Sequence, residues 1–278
     1  MNFTKMHGLG NDFVVITADT WGEADTMQSF ARLICDRHFG VGADGLVVIG
    51  HNDKTDVFMR IFNPDGSEPE MCGNAIRCAA RYAYENKWVD KPAMSIQTLA
   101  GPRYPVVNFV NGAIEAVTVD MGEPITSRPL IPVAGKGDIT NIKIQTKTNH
   151  FAATVISMGN PHCIVFVNDI EQTPVYLWGP EIENHPMFPA KTNVEFVQVV
   201  SRRELVMRVW ERGAGVTMAC GTGACATLAA AVLNGHTDRQ AVVHLLGGDL
   251  NIEWNATDNH VYMTGPATEV FKGNLKLG

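Results

Sequence analysis

The chain repeats itself. Cys72-Gly73-Asn74 returns as Cys220-Gly221-Thr222, 148 positions later. At the same offset, Met59-Arg60-Ile61-Phe62-Asn63 falls on Met207-Arg208-Val209-Trp210-Glu211. With one residue of slippage, Gly10-Asn11 falls on Gly159-Asn160. A period this long is too large for a stacked solenoid and marks the duplication of a whole domain. A length of 278 residues accommodates two domains of ordinary size. The expected boundaries are residues 1–120 for the first domain and 121–265 for the second, with the tail 266–278 returning to the first. Pro124, Pro129 and Pro132 mark the passage between them.

Charge and cysteine usage narrow the possibilities. The formal charge of −7 argues against nucleic acid or an anionic membrane as partner, and leaves a small zwitterionic ligand open. No apolar run follows Met1-Asn2-Phe3-Thr4-Lys5, and no window reaches the ~18 apolar residues of a membrane span. A cytoplasmic, reducing location is therefore expected. In that setting Cys35, Cys72, Cys78, Cys163, Cys220 and Cys225 are thiols rather than a disulfide framework. Their spacings give no paired C-x-x-C, so no structural metal site is expected.

Taken in order, Phe3 to Met6 and Phe13 to Ile16 read as strands around the glycine-rich turn at Gly8 and Gly10. That turn is either a plain hairpin or a place where backbone approaches a ligand. Residues 26–38 have helical spacing of Met27, Phe30, Leu33 and Ile34, with Gly40 beyond the end. Gly40-Val41-Gly42-Ala43-Asp44-Gly45 is a literal G-x-G-x-x-G in the wrong context. It follows a helix and precedes the strand Leu46 to Ile49, the reverse of a dinucleotide fingerprint. Val57 to Phe62 is a strand, and Asn63-Pro64-Asp65-Gly66-Ser67 a turn. Cys72 to Asn86 reads as a helix, and 94–120 returns to β pattern broken by Asn111-Gly112.

The second half repeats the plan. Strands are expected at 142–146, 151–156, 163–167, 194–200 and 205–210, and Trp178 to His185 sits where the first helix sat. Cys220 to Leu233 forms a helix without one charged residue, closed by Asn234-Gly235. A helix apolar all round is buried, and this one is too short to span a bilayer. It is expected to run through the middle of its domain, wrapped by strands. The fold class is α+β: two pseudo-symmetric domains, each a curled, mostly antiparallel sheet around a central helix.

Cys35, Cys78, Cys163 and Cys225 lie inside apolar runs and read as packing. Cys72 and Cys220 each precede a glycine at the start of a helix. A helix N-terminus lowers a thiol's pKa, and its unpaired N–H groups receive a carboxylate. Two such units suit the inversion of a carbon that bears hydrogen, with a base on one face and an acid on the other. Repulsion between two thiolates favours the singly ionised pair. The N–H groups of Gly73, Asn74, Gly221 and Thr222 are candidates to hold the α-carboxylate as the carbanion forms.

These motifs resemble a known family. They are Asn63-x-Asp65-Gly66-Ser67-x4-Cys72-Gly73-Asn74-Ala75-x-Arg77, His7 to Phe13, Gly159-Asn160-Pro161-His162, Glu211-Arg212-Gly213-Ala214-Gly215 and Ala219-Cys220-Gly221-Thr222-Gly223-Ala224-Cys225. Together, from Lys5 to about Thr268, they look like diaminopimelate epimerase. The resemblance implies interconversion of LL- and meso-diaminopimelate without a cofactor, in lysine and peptidoglycan biosynthesis. It implies a homodimer and a ligand in a cleft between the domains. It assigns the acid/base pair to Cys72 and Cys220, and assistance of the thiols to His162 and Glu211. It assigns substrate contacts to Asn11, Asn63, Gly73, Asn74, Asn160, Asn193, Glu211, Arg212, Gly221 and Thr222. Arg212 is suited to fork a distal carboxylate. Gly45 stands where some members carry a ligand-contacting glutamine, and Ala75 where a glycine is frequent.

Taken alone, His162 is as readily a structural histidine, Asn63 a turn residue and Glu211 a solvated carboxylate. Asn63 and Glu211 nevertheless lie at the same offset before a cysteine. Three alternatives remain. A proline or hydroxyproline racemase shares the chemistry but typically carries histidine after Cys-Gly, where this chain has Asn74. A thiol redox protein would use the two cysteines as an oxidisable pair. A binding module would leave them inert.

Overall fold

A computed structural model describes residues 1–21 and 23–276. The chain divides into two compact units, Met1–Asp120 with Thr264–Gly278, and Met121–Met263. Residues 277 and 278 of the expected tail lie outside the described residues.

The first unit runs β1 (Asn2–Gly8), β2 (Asn11–Thr17), α1 (Met27–Ile34), β3 (Gly45–His51), β4 (Val57–Phe62), α2 (Gly73–Glu85), β5 (Ile96–Thr98), β6 (Gly101–Arg103), β7 (Val106–Val110) and β8 (Ala113–Asp120). The second runs β9 (Ile142–Gln145), β10 (His150–Ser157), β11 (Pro161–Phe166), α3 (Val175–Glu183), β12 (Asn193–Ser201), β13 (Glu204–Glu211), β14 (Gly215–Val216), α4 (Gly221–Leu233), β15 (Gln240–Leu245), β16 (Gly248–Trp254) and β17 (Val261–Gly265). A last strand, β18 (Thr268–Asn274), returns to pair antiparallel with β1.

The strand orders superpose. The first is β18-β1-β2-β3-β4-β5-β6, and the second contains β9-β10-β11-β12-β13-β15-β16. Each sheet is mostly antiparallel, with parallel pairs at matching places: β2 with β3 and β4 with β5, then β11 with β12 and β13 with β15. The slip in the repeat has a local cause. Leu9 and Gly10, with φ of 57° and 83°, form a two-residue hairpin loop of the left-handed kind. Its counterpart joins Ser157 to Pro161 with three residues, Gly159 at φ 94°.

The middle strands β2, β3, β4, β11 and β12 are buried on both faces and are continuous apolar runs, whereas β9, β13, β15, β16 and β17 alternate. In the first unit, Val14, Ile16, Leu46, Val48, Phe58 and Phe62 pack outward against Ala31 and Ile34 of α1. In the second, Val155, Cys163, Val165, Val194 and Phe196 pack with Val175 and Ile182 of α3. The opposite face encloses a central helix. α2 packs against β1, β2, β3, β4, β7 and β8, and α4 against β10, β11, β12, β13, β15 and β16. Ala224 to Ala231 of α4 are buried without interruption, as an uncharged helix requires.

The first outer helix is shorter than its periodicity predicts. α1 stops at Ile34 instead of continuing to 38, and Leu33 and Phe39 are exposed. The Asp36 carboxylate accepts the N–H groups of His38 and Phe39, both at 2.7 Å, and turns the chain. The N–H groups of Val41 and Gly42 then close on the Ile34 carbonyl.

Candidate active site

Both central helices begin in the same way. Cys72 caps α2 with φ −139° and ψ 123°, and Cys220 caps α4 with φ −123° and ψ 108°. The helical ladder opens with Ile76 N donating to Cys72 O and Ala224 N to Cys220 O, each at 3.0 Å. The first-turn N–H groups, including those of Gly73, Asn74, Gly221 and Thr222, lie outside that ladder. The far ends match too. Asn86 and Asn234 cap the helices, their side chains donating to the Tyr82 and Ala230 carbonyls.

In the first unit, Asn74 Nδ2 donates to Asn11 Oδ1 at 3.1 Å, and Asn11 Nδ2 donates to Asp44 Oδ2 at 3.0 Å. Arg77, fully buried, donates to Asn74 Oδ1 at 2.9 Å and to the carbonyls of Gly73 and Pro266. It therefore anchors the residue pair that follows Cys72. Gly8 lets β1 approach this corner: a Cβ there would stand 2.9 Å from Arg77 Nη2 and 3.3 Å from Asn74 Cβ. Asp44 belongs to a cluster in which Lys5 and Arg37 pair with Asp12, and Arg37 also pairs with Asp44. Burial would raise the Asp12 carboxyl, but the hydrogen bonds from Arg37 and Lys5 prevail and hold it at about 2.

Asn63 is a turn residue in this structure. Its amide donates to Ser67 Oγ at 2.9 Å, and its backbone N–H to Ser67 O at 2.8 Å. Its hydrogen bonds do not join it to the Asn11–Asn74 group. Gly45 opens β3 opposite Phe13, where a Cβ would meet the Phe62 carbonyl oxygen at 3.1 Å.

In the second unit, Asn160, His162, Thr222 and Cys220 form one line. His162 Nε2 lies 3.0 Å from Asn160 Oδ1, Asn160 Nδ2 donates to Thr222 Oγ1 at 3.3 Å, and Thr222 Oγ1 lies 3.6 Å from Cys220 Sγ. Asn193 is buried and fixes a second corner. It donates to Pro161 O at 3.0 Å and accepts the Arg212 N–H at 2.9 Å. Glu211, at the end of β13, accepts a short hydrogen bond from Thr217 Oγ1. The Arg212 guanidinium donates to Ala190 O and makes no ion pair among the described residues, so it can receive an anion.

The thiol of Cys220 departs from the expected lowering. Burial, then the charges of Glu211 and Glu195, push it well above the ordinary value, against weaker opposition from Thr222 and Gly223. A helix terminus contributes only about 0.3–1 kcal/mol near a surface, less than the cost of ionising a fully buried group. Burial also raises Cys35 to about 11, Cys78 to about 12 and Cys163 well above its ordinary value, in keeping with inert packing.

Several partners escaped the sequence reading: Glu195, Asp44, Ser67, Thr217 and the anchoring role of Arg77. Glu195 carried a signal, since it is the one acid in the apolar strand β12. Among the described residues no group of His, Cys, Asp and Glu is arranged to hold a metal ion, and no helix is long and apolar enough to cross a membrane.

The fold defines a class. The chain superposes over its full length on a Bacillus anthracis phenazine biosynthesis protein of the PhzF family (TM-score 0.73, 15% identity, 99% of that chain). It also superposes on a probable proline racemase from Agrobacterium radiobacter (TM-score 0.71, 15% identity, all of this chain and 93% of that one). These likenesses establish the two-domain fold alone. The sequence is more specific. The diaminopimelate epimerase family profile matches residues 3–126 and 154–270. Diaminopimelate epimerases of Heliobacterium modesticaldum and Methanococcus maripaludis are 54% and 50% identical, each over all of both chains. The chain belongs to the diaminopimelate epimerase family and is an isomerase.

Proposed function

We propose that this enzyme interconverts LL- and meso-diaminopimelate through two thiols, Cys72 and Cys220, without pyridoxal phosphate. The observation that carries the reading is the duplicated helix start: in each unit a cysteine caps the central helix, and a glycine follows it. One thiolate takes the α-proton and becomes a thiol, leaving a carbanion. The other thiol returns a proton from the opposite face and becomes the thiolate. The mechanism requires the two units to present their thiols to opposite faces of one carbon.

The carbanion needs donors at the α-carboxylate, a role suited to the first-turn N–H groups of Gly73, Asn74, Gly221 and Thr222. His162 and Glu211 assist the thiols. Asn11, Asn63, Asn160 and Asn193 bind polar groups of the substrate, and Glu211 binds an ammonium. Arg212, with no acidic partner among the described residues, takes the distal carboxylate by a bidentate contact. The family resemblance supports a homodimer in the cytoplasm.

Incubation of reduced protein with meso-diaminopimelate in deuterated water, without added cofactor, is expected to place deuterium at the α-carbon. No exchange would overturn the reading. Inversion of proline in preference to diaminopimelate would move the enzyme to the racemase reading.

A further inference from the structure

Glu195 lies on β12, fully buried, in a strand that is otherwise largely apolar. β11 and β12 run parallel with His162 opposite Asn193. Side chains two apart share a face, so Asn193 and Glu195 point the same way as His162. Glu195 Oε1 lies 2.7 Å from His162 Nδ1, and Glu195 Oε2 is buried with no hydrogen-bond partner among the described residues. Gly223 leaves room for this arrangement. A Cβ there would stand 2.7 Å from Glu195 Oε1 and 3.2 Å from Cys220 Sγ. The carboxylate thus begins a continuous line through His162, Asn160 and Thr222 to the Cys220 thiol.

Proton counting gives that line a direction. The Asn160 nitrogen donates to Thr222, so its oxygen faces His162 and must accept. Nε2 therefore carries a hydrogen. Nδ1 and Glu195 Oε1 then share one more proton, as imidazolium with carboxylate or as imidazole with carboxylic acid. Either form is neutral overall, the state favoured by a pair removed from water. Thr222, accepting from Asn160, keeps its own hydroxyl hydrogen for the Cys220 sulfur.

We propose that Glu195 is a positioning residue for proton transfer at Cys220. By occupying Nδ1 of His162 it fixes the direction of hydrogen bonding along Asn160 and Thr222, so that the Thr222 hydroxyl donates to the thiolate. Without a partner at Nδ1, either ring nitrogen can carry the histidine hydrogen, and where Nδ1 carries it the Asn160 amide turns over. Thr222 then donates to Asn160 instead of to sulfur. This inference rests on the two-thiol reading.

The test compares Glu195→Leu, which cannot bond Nδ1, with Glu195→Gln, whose amide can donate to it. In both directions of the reaction, E195L is expected to lower kcat roughly 10- to 100-fold, by analogy with the loss of the outer partner of a metal-bound histidine. KM should change little, and E195Q should restore most of the rate. Imidazole 15N spectra should show His162 protonated at Nε2 in the wild type and in E195Q, and redistributed toward Nδ1 in E195L. Wild-type kcat in E195L, or a lost rate with an unchanged His162 spectrum, would overturn the proposal. If E195L does not fold, the wild-type spectrum decides: an unprotonated Nε2 at neutral pH overturns it. A wild-type protein that does not epimerise at all defeats the two-thiol reading instead, and the His162 spectrum still decides the hydrogen-bond assignment.

Discussion

At the scale of single residues, burial and the carboxylates of Glu211 and Glu195 outweigh the helix terminus at Cys220. Cys220 sits where a helix terminus should favour a thiolate, yet its surroundings hold the proton on sulfur. A reaction that needs the thiolate must therefore supply stabilisation from hydrogen bonds or from the bound substrate. Asp12 shows the opposite balance, because cationic partners prevail over desolvation. Its folded value of about 2 lies below the ordinary value of ~3.9 for an unfolded chain, so its stabilisation is full above that value and fades as pH falls toward 2. Asp12→Asn is expected to cost about 1–3 kcal/mol at pH 7, the buried-pair figure being reduced for partial exposure. Denaturant titrations at pH 7 and pH 2 should show the gap closing in acid. An equal gap at both would refute the assignment.

At the scale of elements, the central helices are held at their N-termini by contacts too close for a side chain. Gly223 stands on the first turn of α4 between Glu195 and Cys220. Alanine there gains about 1 kcal/mol of intrinsic helix preference. It also places a methyl 2.7 Å from a carboxylate oxygen that is itself enclosed. Overpacking of this kind costs about 1–3 kcal/mol, so Gly223→Ala should be mildly destabilised or neutral but markedly slower in turnover. Thermal melting alongside epimerase rates separates the two effects. Wild-type turnover in a folded G223A would show that the neighbours yield easily. The matching constraint in the first unit is Gly8, where β1 approaches Arg77 and Asn74 from a strand rather than from the helix itself. The two helix starts are thus equivalent in backbone and different in what surrounds them.

At the scale of the whole molecule, the duplication gives two units with one cysteine-capped helix each. Neither thiol can replace the other if they serve opposite faces of a carbon. Cys72→Ala and Cys220→Ala should each reduce inversion by at least about 10²–10⁴-fold, the usual worth of a positioned acid or base. Circular dichroism should remain native, because neither cysteine makes a side-chain cap hydrogen bond that alanine would lose. Normal inversion by either variant would exclude the two-base mechanism.

The repeat, its one-residue slip and the strands as far as β13 were legible in the sequence because each depends on neighbours along the chain, whereas β15, β16 and β17 were not read. Turn residues with positive φ, apolar runs of strand length and an uncharged helix all report local backbone preference and burial. The cysteine-glycine starts of α2 and α4 were legible for the same reason. The stop of α1 was missed because Asp36 turns the chain through its own side chain. Tertiary structure decided the rest. Asn63 is held by its own turn, whereas Asn74 bonds Asn11 directly and is itself held by the buried Arg77. Glu195 meets His162 across 33 positions, in a parallel pairing that neither segment announces. The sequence by itself determined where the two thiols sit on their helices. Only the folded structure decided that the Cys220 thiol holds its proton, because desolvation and the choice of a distant partner depend on which surfaces exclude water.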